Sequence, residues 1–252
     1  MKRGWLLLIV LLAAGCGGGG SKESVPKGPP KPIAQRCGDA AQGVEAHQVW
    51  FRASDGALLD GAEVGDGDVG VVLAHESDSD LCPWLPYAKS LADKGYRAFA
   101  FDFRGSGSSP PQFAAKAVRY DLDVEAAAKE LRQLGAKKVF LAGASIGGAA
   151  VMAASPSVDQ PAGILSFSGE PELLDAMDSA HATKAPLLVM LARKDGYTSV
   201  VSEGRFVHAA SSPDKKLQVY PGDWHGWDLL YRAPYKARVN ALVLDFLREH
   251  SQ

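Results

Sequence analysis

The stretch LAGASIGGAA, residues 141–150, decides how this chain is read. It continues the apolar run Lys137 to Ala142 and sets one serine, Ser145, among glycines and alanines. Residues this small bury little surface, and their use is to let backbone segments approach closely. Gly143-Ala144-Ser145-Ile146-Gly147 has the G-x-S-x-G spacing of a nucleophile elbow, a strained strand-to-helix turn that lifts a serine hydroxyl out of a sheet. The same five residues also suit a plain small-residue turn with an incidental serine, so the flanking elements have to separate the two.

Outward from the elbow, strands and helices alternate. Val44 to Ala53 and Ala57 to Val64 read as two strands joined by the turn Ser54-Asp55-Gly56. Val69 to Ala74 is a continuous apolar run, as a strand buried on both faces requires. Trp84 to Lys94 has helical periodicity and stops at Gly95; Tyr96 to Phe101 is the next strand. Arg119 to Leu134 is an amphipathic helix stopped by Gly135, and Lys137 to Ala142 feeds the elbow. Gly163 to Phe167, Leu187 to Leu191 and Leu217 to Tyr220 are further strands, with helices near Ser199 to Ala210 and Tyr235 to Arg248. Such alternation predicts an α/β fold, a mostly parallel sheet covered on both faces. Ligands of such sheets bind beyond the carboxyl ends of the strands, where Ser145 falls.

The segment VVLAHESDSDLCPWLPYAKSLADKGYRAFAFDFRGSGSSP, residues 71–110, resembles the first half of an α/β-hydrolase. It has a strand ending in histidine, a helix led by tryptophan, Lys-Gly-Tyr, and a strand running into Asp-x-Arg-Gly-x-Gly-x-Ser. With the elbow and the later Asp and His segments, the resemblance extends from about Val44 to the C-terminus. It implies the α/β-hydrolase fold, and the residues between Phe167 and Leu187 are too few for a large cap domain. A fairly open site follows.

A serine hydroxyl is a weak nucleophile and needs a base to take its proton, a task suited to histidine near neutral pH. The family order is Ser, then Asp or Glu, then His. Beyond Ser145 lie His181, His208, His225 and His250. His225, in YPGDWHGWDLL just after the last strand, is the one on a loop able to swing over the serine. The resemblance implies Asp195 as the acid, on the loop after the Leu187 strand. Glu170 and Asp175, after the preceding strand, are alternatives; Asp223 and Asp228 share the loop of His225. For the oxyanion hole it implies the backbone N–H of Ile146 and one from the loop after Ala74. Relatives carry His-Gly there, whereas this chain has His75-Glu76-Ser77, so Glu76 and Ser77 are both candidates and His75 is expected to brace the loop. Arg104 to Ser109 lacks the Gly-Lys-Ser/Thr ending of a phosphate loop and reads as a structural turn. Glu76 to Asp80 lacks the glycine and distal glutamate of an EF-hand. No metal or other cofactor is expected.

The 252 residues, 46% hydrophobic and 22% charged, suit a globular protein with a sizeable core. A net charge of -2 with no basic stripe gives no reason to expect nucleic acid. Residues 1–15 form a separate leader, in which Lys2 and Arg3 precede the apolar run Trp5 to Ala14, the plan of a signal peptide. Leu12-Ala13-Ala14-Gly15-Cys16 resembles a bacterial lipobox, which implies lipidation of Cys16. Residues 16–36, rich in Gly, Pro and Lys, cannot bury enough surface to order and are expected to be a tether. The folded domain is expected over 37–252, with Cys37 and Cys82 left as a disulfide pair in an exported protein. The expectation is thus a membrane-tethered extracytoplasmic serine hydrolase acting on a small-molecule acyl substrate. Its membrane contact is the lipid, and no obligate protein partner is inferred. A peptidase, a dienelactone-type hydrolase, an acyltransferase and a non-catalytic binding lipoprotein are the alternatives.

Overall fold

The computed structural model describes residues 31–111 and 118–252. The leader, Cys16 and most of the expected tether lie outside the described residues. In chain order the elements are helix α1 (Ile33–Cys37), strands β1 (Ala46–Arg52), β2 (Leu58–Val64) and β3 (Val69–Ala74), α2 (Leu85–Ala92) and β4 (Arg97–Phe101). Then come α3 (Tyr120–Gln133), β5 (Lys138–Ala144), α4 (Ile146–Ala154), β6 (Gly163–Phe167), α5 (Ala176–Ser179) and β7 (Leu187–Ala192). The last are α6 (Val200–Ala209), β8 (Lys215–Tyr220), α7 (Asp228–Tyr231) and α8 (Lys236–Glu249).

The strands form one sheet in the order β1-β2-β4-β3-β5-β6-β7-β8. β1 pairs with β2 and β2 with β4 antiparallel; every other pairing is parallel. The central strands are buried on both faces, so their side chains divide by the two-residue period of a strand. Val71, Leu73, Phe140, Ala142, Leu165, Phe167, Leu188 and Met190 join one core, with residues of α2 and α8. Val72, Ala74, Val139, Leu141, Ile164 and Val189 join the other, with residues of α3 and α4. Expected and observed elements differ mainly at their ends. β5 runs on to Ala144 because Gly143 and Ala144 still pair with Ser166 and Phe167 of β6. Trp84 lies in a 3₁₀ turn ahead of α2 instead of inside it, where Pro83 and Pro86 begin the helical path.

The folded body begins earlier than expected. Ile33 is buried, and Arg36 pairs with the buried carboxylates of Asp102 and Asp60. Residues 33–36 therefore pack as helix, because a buried apolar residue and an ion-paired guanidinium offset the ordering entropy that the polar segment before them cannot. Cys37 and Cys82 are joined in a disulfide, with a Cα–Cα distance of 5.1 Å. The bridge fastens α1 to the turn leading into α2.

Residues 168–186 connect β6 to β7 through α5 and a 3₁₀ turn, Ala180–Ala182. They hold no cap domain. The turn after β4 is structural, as its sequence suggested. Asp102 accepts from the Leu81 and Ser108 N–H groups at 2.8 Å each, and a Cβ on Gly107 would lie 2.1 Å from its Oδ2. Arg104 spends its guanidinium on Asp123 and Asp55, at 2.6 Å each.

Candidate active site

Ser145 stands between β5 and α4 with φ +52° and ψ -124°, a conformation L-residues rarely adopt. The flanking glycines explain how the chain tolerates it. A Cβ on Gly143 would lie 2.1 Å from the Gly147 carbonyl oxygen. One on Gly147 would lie 2.4 and 2.5 Å from the carbonyl oxygens of Ala74 and His75. Both are distances no side chain survives, so β5, α4 and the end of β3 can close together only with glycine at those positions. The Ser145 side chain is thereby set at the carboxyl end of the sheet.

His225 and Asp195 come from the loops after β8 and β7. Nδ1 of His225 lies 2.9 Å from both carboxylate oxygens of Asp195, whose side chain is wholly buried. Asp195 also accepts from the Tyr197 N–H at 2.9 Å and the Thr198 N–H at 3.3 Å. Burial pushes the Asp195 pKa up, but the hydrogen bonds from His225 and the Tyr197 N–H outweigh it and hold it below its ordinary value. For His225 burial works downward. The bond to Asp195 and the charges of Asp195, Glu76 and Glu170 outweigh it, and the net shift is upward. A charged acceptor on Nδ1 keeps a proton there and leaves Nε2 as the basic nitrogen. Among the described residues the carboxylates of Asp223 and Asp228 make no hydrogen bond to the His225 ring; the Asp228 N–H donates to the His225 carbonyl oxygen at 3.0 Å.

Glu170 sits elsewhere than either reading of the acid implied. Its Oε1 accepts the Ser145 hydroxyl at 2.8 Å, from a residue with φ +48°. Asp175, with φ +56°, precedes α5 and makes no contact with His225 among the described residues. No hydrogen bond joins Ser145 to His225 among the described residues; the Ser145 hydroxyl is turned to Glu170.

The oxyanion candidates share one pocket, lined by His75, Glu76, Ser77 and Ile146 together with Phe103 and Tyr120. His75 is buried, donates from Nδ1 to the Glu76 carbonyl oxygen at 2.7 Å, and accepts the Phe103 N–H at Nε2, 3.1 Å. Phe103 has only its N–H to offer, which fixes the neutral Nδ1–H tautomer, and burial lowers the His75 pKa in the same sense. It braces the loop. The Glu76 side chain turns to the histidine loop, where Oε1 accepts the Trp227 N–H at 2.8 Å. Gly226, with φ +53°, makes the room: a Cβ there would lie 1.7 Å from that oxygen. A glutamate at 76 is thus accommodated by a glycine at 226. Burial raises the Glu76 pKa to about 7, against the pull of the Trp227 N–H and of His225.

Two contacts had no signal in the sequence. Tyr197 packs its ring on His225, centroids 4.5 Å apart. Glu203, in the first turn of α6, is wholly buried and takes a bond from the Thr198 hydroxyl at 3.3 Å. Burial lifts its pKa to about 7, against the Gly169 and Glu170 N–H groups and the Thr198 hydroxyl beside it.

Comparison with known proteins bears on the fold. The family described as serine aminopeptidase, S33, matches residues 71–168, from β3 through the elbow to the end of β6. An esterase of Pyrococcus furiosus superimposes with a TM-score of 0.69 at 19% identity, covering 81% of this chain and 93% of that one. The chain has the α/β-hydrolase fold. A monoacylglycerol lipase of Paleococcus ferrophilus superimposes at 0.65 and 18% identity, over 76% of this chain and 99% of its own. A dienelactone hydrolase-like promiscuous phosphotriesterase, P91, from metagenomic libraries gives 0.67 and 19%, over 82% and 99%. No curated protein sequence matches this chain. Ligands of open parallel sheets bind beyond the carboxyl ends of the strands, and Ser145, Asp195 and His225 all leave the sheet at that end.

Proposed function

We propose that this chain is a serine hydrolase of carboxylic esters, tethered to a membrane on its extracytoplasmic side. The observation that carries the reading is the pairing of His225 with the buried Asp195 at 2.9 Å, at the same end of the sheet as Ser145. Ser145 Oγ attacks the ester carbonyl while His225 Nε2 takes its proton. The N–H groups of Ile146 and of Glu76 or Ser77 hold the oxyanion. His225 then gives the proton to the departing alcohol, leaving an acyl-Ser145 ester. Water, deprotonated by His225, releases the acid and restores the serine. Asp195 keeps the imidazole in the required tautomer and stabilises its charged form. The esterase and lipase likenesses and the uncapped site favour small or medium acyl esters. Tethering rests on the charged and apolar leader, the lipobox-like Leu12 to Cys16 and the disulfide-compatible pair Cys37 and Cys82.

The experiment is labelling of the full chain with a fluorophosphonate. Wild type is expected to be labelled and Ser145→Ala to lose all label while keeping its circular dichroism. Equal labelling of both removes the mechanism; no labelling of either favours a binding protein on a hydrolase scaffold.

A further inference from the structure

We propose that the pocket beside Ser145 binds an organic cation, so that the substrates are esters of amino alcohols such as choline or ethanolamine. This rests on the hydrolase reading and adds its substrate class. His225 must protonate the leaving alcohol, which places that alcohol on the imidazole side of the serine. Tyr197 packs on the imidazole and lines a pocket of about 470 Å³ with Glu170, Glu172, Leu173, Val201 and Arg205.

The pocket is made for a ligand with an apolar body and a positive charge. Among the described residues five large hydrophobic side chains are exposed, and three of them line it: Leu173 at 39%, Tyr197 at 74% and Val201 at 65%. Apolar surface left in water and gathered at one concavity marks a binding site. Glu170 and Glu172 stand against the single guanidinium of Arg205, so the lining favours a cation and repels an anion. Glu172 Oε1 takes a bond from the Ser202 hydroxyl at 3.0 Å, and Glu170 Oε1 lies 2.8 Å from the Ser145 oxygen. A group drawn to Glu170 is therefore held at the reacting carbonyl. The exposed ring of Tyr197 offers the face on which an alkylammonium rests. A primary ammonium that donates to the Glu170 oxygen also frees the Ser145 hydroxyl to turn toward His225, whereas a quaternary one is held by the carboxylate charge and the Tyr197 ring.

The test compares acetylcholine with 3,3-dimethylbutyl acetate, two esters of nearly one shape that differ by the charge. The full chain in detergent is expected to favour the cationic ester in kcat/KM by about tenfold or more. Glu170→Gln and Glu172→Gln are each expected to bring that ratio toward one. The ratio is read instead of the rate because Glu170 touches the serine. A ratio of one or less in wild type, or one unchanged in both variants, overturns the proposal. Fluorophosphonate labelling of Ser145 with turnover of neither ester overturns the cation pocket and leaves the hydrolase standing. Absence of labelling removes the hydrolase reading, and this one with it.

Discussion

At the scale of single residues the proposed mechanism turns on His225, because its state would decide whether Ser145 can lose a proton. The imidazole acts as a base only when neutral, and Asp195 holds its pKa above the ordinary 6.5. Esterase kcat/KM is therefore expected to fall on acidification through an inflection above 6.5, and a pH–rate profile reads this directly. Asp195→Asn removes the carboxylate that favours the charged ring, so the inflection should move to lower pH. Turnover should drop by on the order of 10⁴, since an amide no longer secures the tautomer. Near-normal turnover in Asp195→Asn would contradict the assignment. Ser145, His225 and Asp195 are candidates that the sequence offers through the chain order and loop positions its family resemblance implies. The partner of the Ser145 hydroxyl could not be named from them, since Glu170 reaches it through a left-handed backbone that no local pattern announces.

Among the elements, α1 and α6 show how supports outside the site hold its loops. The disulfide ties α1 to the entry of α2 across 45 residues of sequence. A loop of that length restricts the unfolded chain by about 4 kcal/mol in the chain-entropy account. Replacing both Cys37 and Cys82 by serine is expected to cost about 2–4 kcal/mol in urea unfolding, with the Arg36 contacts to Asp60 and Asp102 still in place. Glu203 of α6 acts through pH. Its folded pKa, about 7, lies above the ordinary 4.5, so its burial is tolerated below pH 4.5 and costs stability as pH rises through 7. Glu203→Gln should flatten that alkaline loss in denaturation curves taken at pH 5 and pH 8. Wild type and variant with parallel curves would mean the carboxyl ionises without penalty. The amphipathic pattern places α6 in the sequence, yet nothing in the pattern shows an acid turned inward.

For the whole molecule, the proposed membrane tether rests on the lipobox-like Cys16 and the polar segment after it. Among the described residues no helix is long and apolar enough to cross one. Cys16→Ala should abolish incorporation of labelled fatty acid and shift the chain from the membrane to the soluble fraction; unchanged incorporation would remove the lipid anchor. By itself the sequence determined the order of strands and helices, the elbow and the candidate nucleophile, base and acid. Periodicity, glycine spacing and chain order are local properties, and each is written in neighbouring residues. Only the tertiary structure decided which groups from distant loops meet. Glu76 lies 151 positions from the Trp227 N–H it accepts, and its fit depends on the missing side chain of Gly226. Arg36 belongs to the fold and not to the tether because two carboxylates from β2 and the end of β4 converge on it. Whether a buried charge finds its partner depends on how the sheet is ordered and closed, and long-range packing sets that.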